Sequence, residues 1–162
     1  MTDINPRTPV TRDLSARGIP FTFFEHPGPV HSLEQAARER NQRPEQVVRS
    51  ILFRLRQGEF LMVLVAGPAQ ISWKALRSYL GQSRLTLASD QEVKDVTGYL
   101  PGSVSPFGLP QAVRTLVDQK ILAEEVISIG SGQRGTTVIL NTSDLLQALQ
   151  QPEIGDFVEA SQ

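Results

Sequence analysis

An eleven-residue loop, Gly98–Gly108, is the part of the sequence best equipped for chemistry. It contains three glycines, two prolines and two serines. The prolines remove backbone donors and fix φ, so the loop cannot continue a helix or a central strand. At Gly102 the backbone N–H has no Cβ beside it to keep a ligand away, and such donors bind a carbonyl, an oxyanion or a phosphate. The same composition is also typical of an irregular connection between two elements, so both interpretations stand at this point.

Arg49 is a second candidate because it interrupts an apolar pattern. The segment Val47–Arg56 predicts a strand, and period-two alternation places Arg49 on one face with Val47, Ile51, Phe53 and Leu55. A charge on a buried face is costly unless it is paired or used. Arg49 therefore either pairs with an internal acid such as Asp118, or points into a cleft and binds an anionic or carbonyl group of a ligand.

The remaining motifs are weaker candidates for a catalytic or binding site. Gly130–Gly135 matches G-x-G-x-x-G after a predicted strand, but a dinucleotide site needs a helix next. Thr136–Leu140 is β-branched and predicts a strand instead, so we expect a glycine turn in a hairpin. His26 and His31 lack neighbours with metal-ligand spacing and are expected in surface loops. Asp118 ends a predicted strand and best fits a cap on the helical turn that follows.

Composition narrows the class of protein. The 162 residues are 40% hydrophobic and 20% charged, which is typical of a globular domain with a sizeable core. The absence of cysteine excludes disulfides, thiolate metal sites and a cysteine nucleophile, and we predict a cytoplasmic location. The polar N-terminus does not resemble a signal peptide, and no apolar stretch is long enough to span a membrane. With a net charge of −1, any contact with nucleic acid is expected to be local.

The elements that must position these residues alternate irregularly between helices and strands. Capping residues and terminal glycines predict helices at Val10–Arg17, from Ser32 to near Asn41, at Ser72–Leu80, from Ser89 to Gly98, and at Asn141–Leu149. Strands are predicted at Phe21–Glu25, Val47–Arg56, Glu59–Ala66, Leu85–Ala88, Val113–Val117, Val126–Ile129 and Thr136–Leu140. This order predicts an α/β fold with a mixed sheet. Residues 1–9 are predicted to be a flexible tail, residues 10–150 the domain, and residues 151–162 an acidic tail.

The loop and three other segments together resemble the YbaK / prolyl-tRNA editing domain family. The loop carries the Gly-x-x-x-Pro element of that family as Gly102–Pro106, and the other matching segments are Val47–Phe53, Leu87–Ser89 and Gly130–Gly135. The resemblance extends over residues 10–150. It implies a single domain with a curved, barrel-like sheet surrounded by helices. It also implies a free-standing deacylase that hydrolyses the ester of mischarged aminoacyl-tRNA without a cofactor or metal.

The resemblance also implies roles for individual residues. Gly102 and Arg49 are the predicted catalytic residues, with the Gly102 amide stabilising charge on the carbonyl oxygen. Position 49 is commonly a lysine in the family, and arginine keeps the charge but cannot act as a general base. The predicted substrate-binding residues are Ser50, Ser103, Ser105, Pro106, Phe107, Gly108, Asp118, Gly130 and Ser131. Gly130 stands where many relatives carry a serine.

The predicted partners are the 3′ end of aminoacyl-tRNA and an aminoacyl-tRNA synthetase, with no membrane. Water, the ribose hydroxyl or a thiol of the substrate would be the attacking group, since no protein nucleophile is evident. An alternative function is a binding module of the same fold that recognises an aminoacyl or nucleotide end without hydrolysing it. Another is an interaction domain attached to a synthetase, in which the loop is only structural. The sequence does not specify the amino acid, the tRNA or the oligomeric state.

Overall fold

A computed structural model describes residues 8–56 and 58–160. The helices are α1 (Pro9–Ala16), α2 (Leu33–Glu39), α3 (Trp73–Leu80), α4 (Asp90–Thr97) and α5 (Thr142–Ala148). The strands are β1 (Thr22–Glu25), β2 (Val48–Arg56), β3 (Glu59–Ala66), β4 (Thr86–Leu87), β5 (Arg114–Asp118), β6 (Val126–Gly130), β7 (Thr136–Asn141) and β8 (Glu153–Gly155). Short 3₁₀ turns occupy Pro44–Gln46 and Gln119–Ala123. Within the described ranges, no helix has both the length and the apolar character needed to cross a bilayer.

The strands form two sheets. A mixed sheet has the order β4-β2-β3-β5-β8, in which β2 pairs antiparallel with β3 and β4, while β5 pairs parallel with β3 and β8. An antiparallel sheet has the order β1-β7-β6. An isolated parallel bridge between Val47 and Ser128 connects the two sheets. The predicted mixed α/β fold is confirmed, and over the described residues the two sheets are not closed into a barrel.

Local sequence signals set the ends of the helices. The hydroxyls of Ser32, Ser72 and Ser89 each accept a hydrogen bond from the backbone N–H three residues on, at 3.0–3.1 Å. At α4 the capping box is complete, because Glu92 accepts in return from the Ser89 N–H at 2.9 Å. Gly98 ends that helix at φ +79°, a left-handed conformation that glycine adopts without a steric penalty.

Strand alternation divides the core into two clusters on opposite faces of the mixed sheet. Val48 and Leu52 of β2 pack in a cluster with residues of β6 and β7. Phe53, the next residue, points into the other cluster, with Leu76 of α3 and Phe157. Side chains on a strand alternate between faces, so the predicted assignment of β2 residues to the two faces is confirmed. Both layers of the structure therefore depend on β2, which also begins at the bridge to the second sheet.

The two chain ends depart from the prediction of flexible and acidic tails. Residues 1–7 lie outside the described residues, but Thr8 caps α1 and Pro9 is its first residue. Residues 153–158 do not trail from the domain, because β8 pairs with β5 and Phe157 is fully buried. The Phe157 N–H also donates to the Asp118 carboxylate at 2.8 Å. A strand of three residues with a distant partner leaves too short a pattern to be read in the sequence.

Replacing Phe157 with alanine should lower the free energy of unfolding by about 3–5 kcal/mol, because a fully buried aromatic ring is lost and leaves a cavity. Urea denaturation measures the change. The matched control is Ile154→Ala in the same segment, where the side chain is 41% exposed and the expected loss is below about 1 kcal/mol. Equal and small losses in the two variants would show that the C-terminal segment is not docked in solution.

Candidate active site

A cavity of about 400 Å³ lies where the two sheets meet. Its wall includes both residues of the connecting bridge. Four of the predicted site residues also line it: Arg49, Ser50, Gly102 and Gly130. The volume is within the range of pockets that hold small molecules. The structure thus brings together the start of β2, the end of β6 and the loop after α4.

Gly102 lies in the wall of this cavity with a backbone donor that the described residues leave unpaired. Its φ of +94° is a conformation that favours glycine, and a Cβ built on it would meet open space. In the described part of the chain, the Gly102 N–H makes no backbone hydrogen bond. The neighbouring Ser103 closes a turn, because its N–H and its hydroxyl both donate to the Leu100 carbonyl, at 3.1 and 3.0 Å. The turn holds the Gly102 amide at the cavity wall.

The same loop is seated directly on β6. A Cβ at Gly130 would lie 2.2 Å from the Val104 carbonyl oxygen, so only glycine allows this approach. Beyond the strand, the Gly132 N–H donates to the Ser103 carbonyl at 3.1 Å. The departure from the serine of many relatives at position 130 therefore has a local cause in this chain. The close contact fixes the distance between the loop and β6, and with it the position of the loop at the cavity.

Arg49 is held by backbone carbonyls and not by a carboxylate. Its Nε donates to the Gly67 carbonyl at 2.8 Å, and its Nη2 donates to the Ala69 carbonyl. Burial lowers the pKa of the Arg49 guanidinium. Of the two interpretations from the sequence, pairing with Asp118 is not what the structure shows. Arg49 also lines the cavity, and within the described residues its side-chain hydrogen bonds are to carbonyl oxygens alone.

Arg40 is a second half-buried cation at the cavity, and it organises a chain of polar contacts. Its Nη2 donates to the Ser128 hydroxyl at 3.0 Å and its Nε donates to the Gln42 amide oxygen at 3.1 Å. Its Nη1 lies 2.9 Å from Nε2 of His26. Arginine can only donate, so Nε2 is the acceptor and Nδ1 carries the imidazole proton. That proton is donated to the Glu39 carboxylate at 2.7 Å.

Sequence reasoning missed this network. The sequence pattern assigns no site role to Arg40, and it places His26 in a surface loop. The His26 side chain is 4% exposed. Ser128 was not predicted at all. Only its position on β6 could have indicated Ser128 as a site residue. It lies two residues before Gly130 and therefore on the same face of the strand, the face at the cavity.

The second half of the loop does not reach the cavity. Ser105 is fully buried and accepts from the Phe107 N–H at 3.2 Å. Phe107 is buried, and the guanidinium of Arg17 lies 5.5 Å from its ring centroid. The Gly108 N–H donates to the Asp13 carboxylate at 2.8 Å. Pro106 and Phe107 line a different depression beside β5. These residues anchor the loop to α1.

Ser131 and Asp118 also lie outside the cavity wall. The Ser131 hydroxyl bonds to the Gln133 carbonyl at 3.0 Å and to the Thr136 hydroxyl at 2.6 Å, and these bonds fix the turn of the β6–β7 hairpin. The Asp118 carboxylate accepts from the Lys120 N–H at 3.0 Å and so caps the following turn, the role expected from the sequence. Ser103 is likewise 5% exposed and occupied in its turn.

The cavity wall is therefore rich in donors and positively charged. Arg40 and Arg49 line it and no aspartate or glutamate does. Across the described ranges, His, Cys, Asp and Glu side chains form no group of three that could hold a metal ion. The arrangement suits a ligand with a carbonyl or anionic oxygens.

Comparisons with known proteins agree on the type of domain. A model of the aminoacyl-tRNA editing domain family matches residues 27–148. Proline–tRNA ligase of Aquifex aeolicus (strain VF5) is 25% identical over 141 residues, which are 85% of this chain and 23% of the ligase. The prolyl-tRNA editing protein ProX of Acetoanaerobium sticklandii is 24% identical over 148 residues, which are 88% of this chain and 90% of that protein. The chain thus spans between 17% and 24% of the length of the ligases that it matches.

Solved structures share the fold. A candidate trans-editing enzyme for prolyl tRNA synthetase superposes with a TM-score of 0.86 at 24% identity, over 94% of this chain and 96% of the other. The hypothetical protein APE2540 superposes with a TM-score of 0.85 at 22% identity, over 93% and 99% of the two chains. Since the family match includes the bridge between the sheets, the loop and both strands beside the cavity, this chain belongs to the aminoacyl-tRNA editing domain family.

Proposed function

We propose that this protein is a free-standing deacylase that hydrolyses the ester between a wrongly attached amino acid and the 3′-terminal ribose of tRNA. The observation that carries the proposal is Gly102, which lines the cavity of an editing-family domain and whose N–H makes no hydrogen bond within the described structure. The relative named as a prolyl-tRNA editing protein matches over 90% of its length, which supports action apart from a ligase. Because aminoacyl-tRNA is a substrate of translation, we propose the cytoplasm as the location.

In this mechanism the protein stabilises charge and positions the ester. The oxygen of a water molecule adds to the ester carbonyl carbon, and the carbonyl oxygen becomes an oxyanion that accepts from the Gly102 N–H. The bond to the ribose oxygen then breaks, and that oxygen takes up the proton released by the water. The products are a free amino acid and uncharged tRNA. The neighbouring ribose hydroxyl can orient the water, so that the substrate itself contributes a group to catalysis.

The side chains at the cavity bind and orient, and they do not serve as bases. Arg40 and Arg49 stay protonated near neutral pH. His26 offers no free lone pair, because its Nε2 accepts from Arg40 and its Nδ1 proton is donated to Glu39. Arg49 has Nη1 left for a ligand, and we propose that it binds the backbone of the 3′ end of the tRNA. The likeness to the ligases further supports prolyl-tRNA synthetase as the enzyme whose errors are corrected.

A panel of mischarged tRNAs tests the function. We expect the protein to release the amino acid from one tRNA or a small group of them well above the uncatalysed rate. Binding of tRNA without turnover would indicate a binding module of the same fold. Neither binding nor turnover would indicate an interaction domain attached to a synthetase.

Gly102→Ala should reduce deacylation by about 10²-fold, the effect of losing one oxyanion donor. At φ +94° an alanine is strained, and relief of that strain turns the amide away from the ester. The matched control is Gly18→Ala, which has φ +72° and open space at the Cβ, and is remote from the cavity. We expect similar small losses of melting temperature in both variants and normal turnover in Gly18→Ala. Full activity in Gly102→Ala would remove the loop amide from the mechanism.

Arg49→Ala should abolish most turnover, while Arg49→Lys should retain part of it because a point charge still attracts phosphate. The alanine variant leaves the carbonyls of Gly67 and Ala69 without a partner but strands no carboxylate, so we expect a stability loss of only about 1–2 kcal/mol. The control is Arg54→Ala on the same strand, which loses an ion pair with Glu92 away from the cavity. Normal turnover per folded molecule of Arg49→Ala would show that Arg49 has a structural role alone.

Gly130→Ala should displace the Val104 carbonyl and with it the Gly102 amide, so that kcat falls while the protein remains folded. Crowding of this kind costs about 1–3 kcal/mol. Gly28→Ala is the control, because its Cβ meets open space and its φ is not positive. Steady-state deacylation and thermal melts of both variants measure the two effects. Unchanged kcat in Gly130→Ala would mean that catalysis does not depend on the close contact between the loop and β6.

A further inference from the structure

Two hydroxyl groups on the cavity wall have hydrogen-bonding capacity that the protein does not use. Ser50 Oγ is buried and has no partner in the described structure. Ser128 is 1% exposed, and its oxygen accepts from Arg40 at 3.0 Å, but its own proton has no acceptor among the described residues. Leaving such donors unpaired in a buried site is costly, so each one calls for an explanation.

Arg40 adds a partly buried charge beside these hydroxyls, and no carboxylate among the described residues contacts it directly. Its contacts with Gln42, His26 and Ser128 are all to neutral groups. The nearest acid in this network, Glu39, bonds to the far nitrogen of the His26 ring. Burial lowers the pKa of Arg40 to about 10, which leaves the guanidinium charged near neutral pH. A charge that is desolvated without a carboxylate partner favours the arrival of an anion.

We propose that Arg40, Ser50 and Ser128 form a subsite for an anionic oxygen group of the substrate, a phosphate or a carboxylate. We call these three residues the donor wall. All three line the cavity, and no aspartate or glutamate lines it to repel an anion. A purely structural network would explain the contacts of Arg40 with Ser128 but not the unpaired hydroxyl of Ser50. The inference rests on the proposed function in one respect, which is that the anion is assumed to be part of an aminoacyl-nucleotide.

Two parts of such a substrate could supply the anion. Ser128 lies two residues before Gly130 on β6, about 7 Å along the strand from the point where the loop contacts it. An ester held at Gly102 therefore has the donor wall a short distance away. The 5′-phosphate of the terminal nucleotide and the carboxylate of an acidic amino acid carry the same oxygen chemistry, and ligands that contain one or the other distinguish them.

Four stable ligands separate these sources. The parent is 3′-deoxy-3′-(L-alanylamino)adenosine, in which an amide replaces the ester. The others carry a 5′-phosphate, an L-aspartyl group in place of L-alanyl, or both. Calorimetric titration of the wild-type protein measures their affinities. We expect at least one anionic group to raise affinity by about tenfold or more, the size of a charge-assisted hydrogen bond. A gain from phosphate alone assigns the subsite to the nucleotide, and a gain from aspartyl alone assigns it to the amino acid.

Variants test whether the donor wall supplies the gain. Arg40→Gln should remove it, and the control Arg38→Gln, an exposed residue of the same helix, should keep it. If Arg40→Gln does not fold by circular dichroism, the double variant Ser50→Ala, Ser128→Ala decides, because it changes no charge and should lose most of the gain. Equal affinities of the four ligands for the wild type, or no binding of any, overturn the proposal. So does a gain that survives both Arg40→Gln and the double variant.

Deacylation is measured separately on the wild type with mischarged tRNA. An anion-dependent gain in affinity without any turnover would overturn the deacylase and leave the subsite intact. Turnover without such a gain would support the deacylase and overturn the subsite.

Discussion

The close contact between the loop and β6 is the constraint on which the site depends. With a hydrogen in place of a side chain at Gly130, the Val104 carbonyl can approach where a Cβ would lie only 2.2 Å away. The Gly132 N–H then reaches the Ser103 carbonyl, which secures the loop at a second point. Proteins are packed densely enough that a single methyl group at such a place must move one side of the contact. The height of the Gly102 amide above the cavity follows from this packing.

The far end of the loop is secured just as firmly. The Tyr99 hydroxyl donates to the Phe107 carbonyl, and burial raises the pKa of that tyrosine so that it remains a donor. The Gly108 N–H is held by Asp13 of α1, whose carboxyl pKa is lowered even though burial alone would raise it. Hydrogen bonds from Arg17 and from Gly108 cause the lowering. A loop fixed at both ends can present one amide in a constant direction, which is the requirement for stabilising an oxyanion.

The charge distribution at the cavity is the second physical feature of the structure. Arg40 and Arg49 are partly desolvated against carbonyls, hydroxyls and an amide, with no carboxylate in direct contact. Such an arrangement is less favourable than an ion pair in the absence of a ligand, because dipoles replace lost hydration only in part. Binding of an anion, as proposed above, would offset this cost. The protein as a whole is nearly neutral, so this attraction is local.

The sequence by itself determined the features that depend on near neighbours. Serine caps at α2, α3 and α4, the glycine after α4 and the face alternation of β2 all involve residues within a few positions of each other. The family resemblance of the loop and of the segments Val47–Phe53 and Gly130–Gly135 also indicated Gly102, Arg49, Ser50 and Gly130, which the fold places at one cavity. Only the tertiary structure decided which residues complete that cavity. Arg40 meets Ser128 from 88 positions away, and the Phe157 N–H meets Asp118 from 39. Such contacts have no local pattern, because they form only when the two sheets and the helices have packed together.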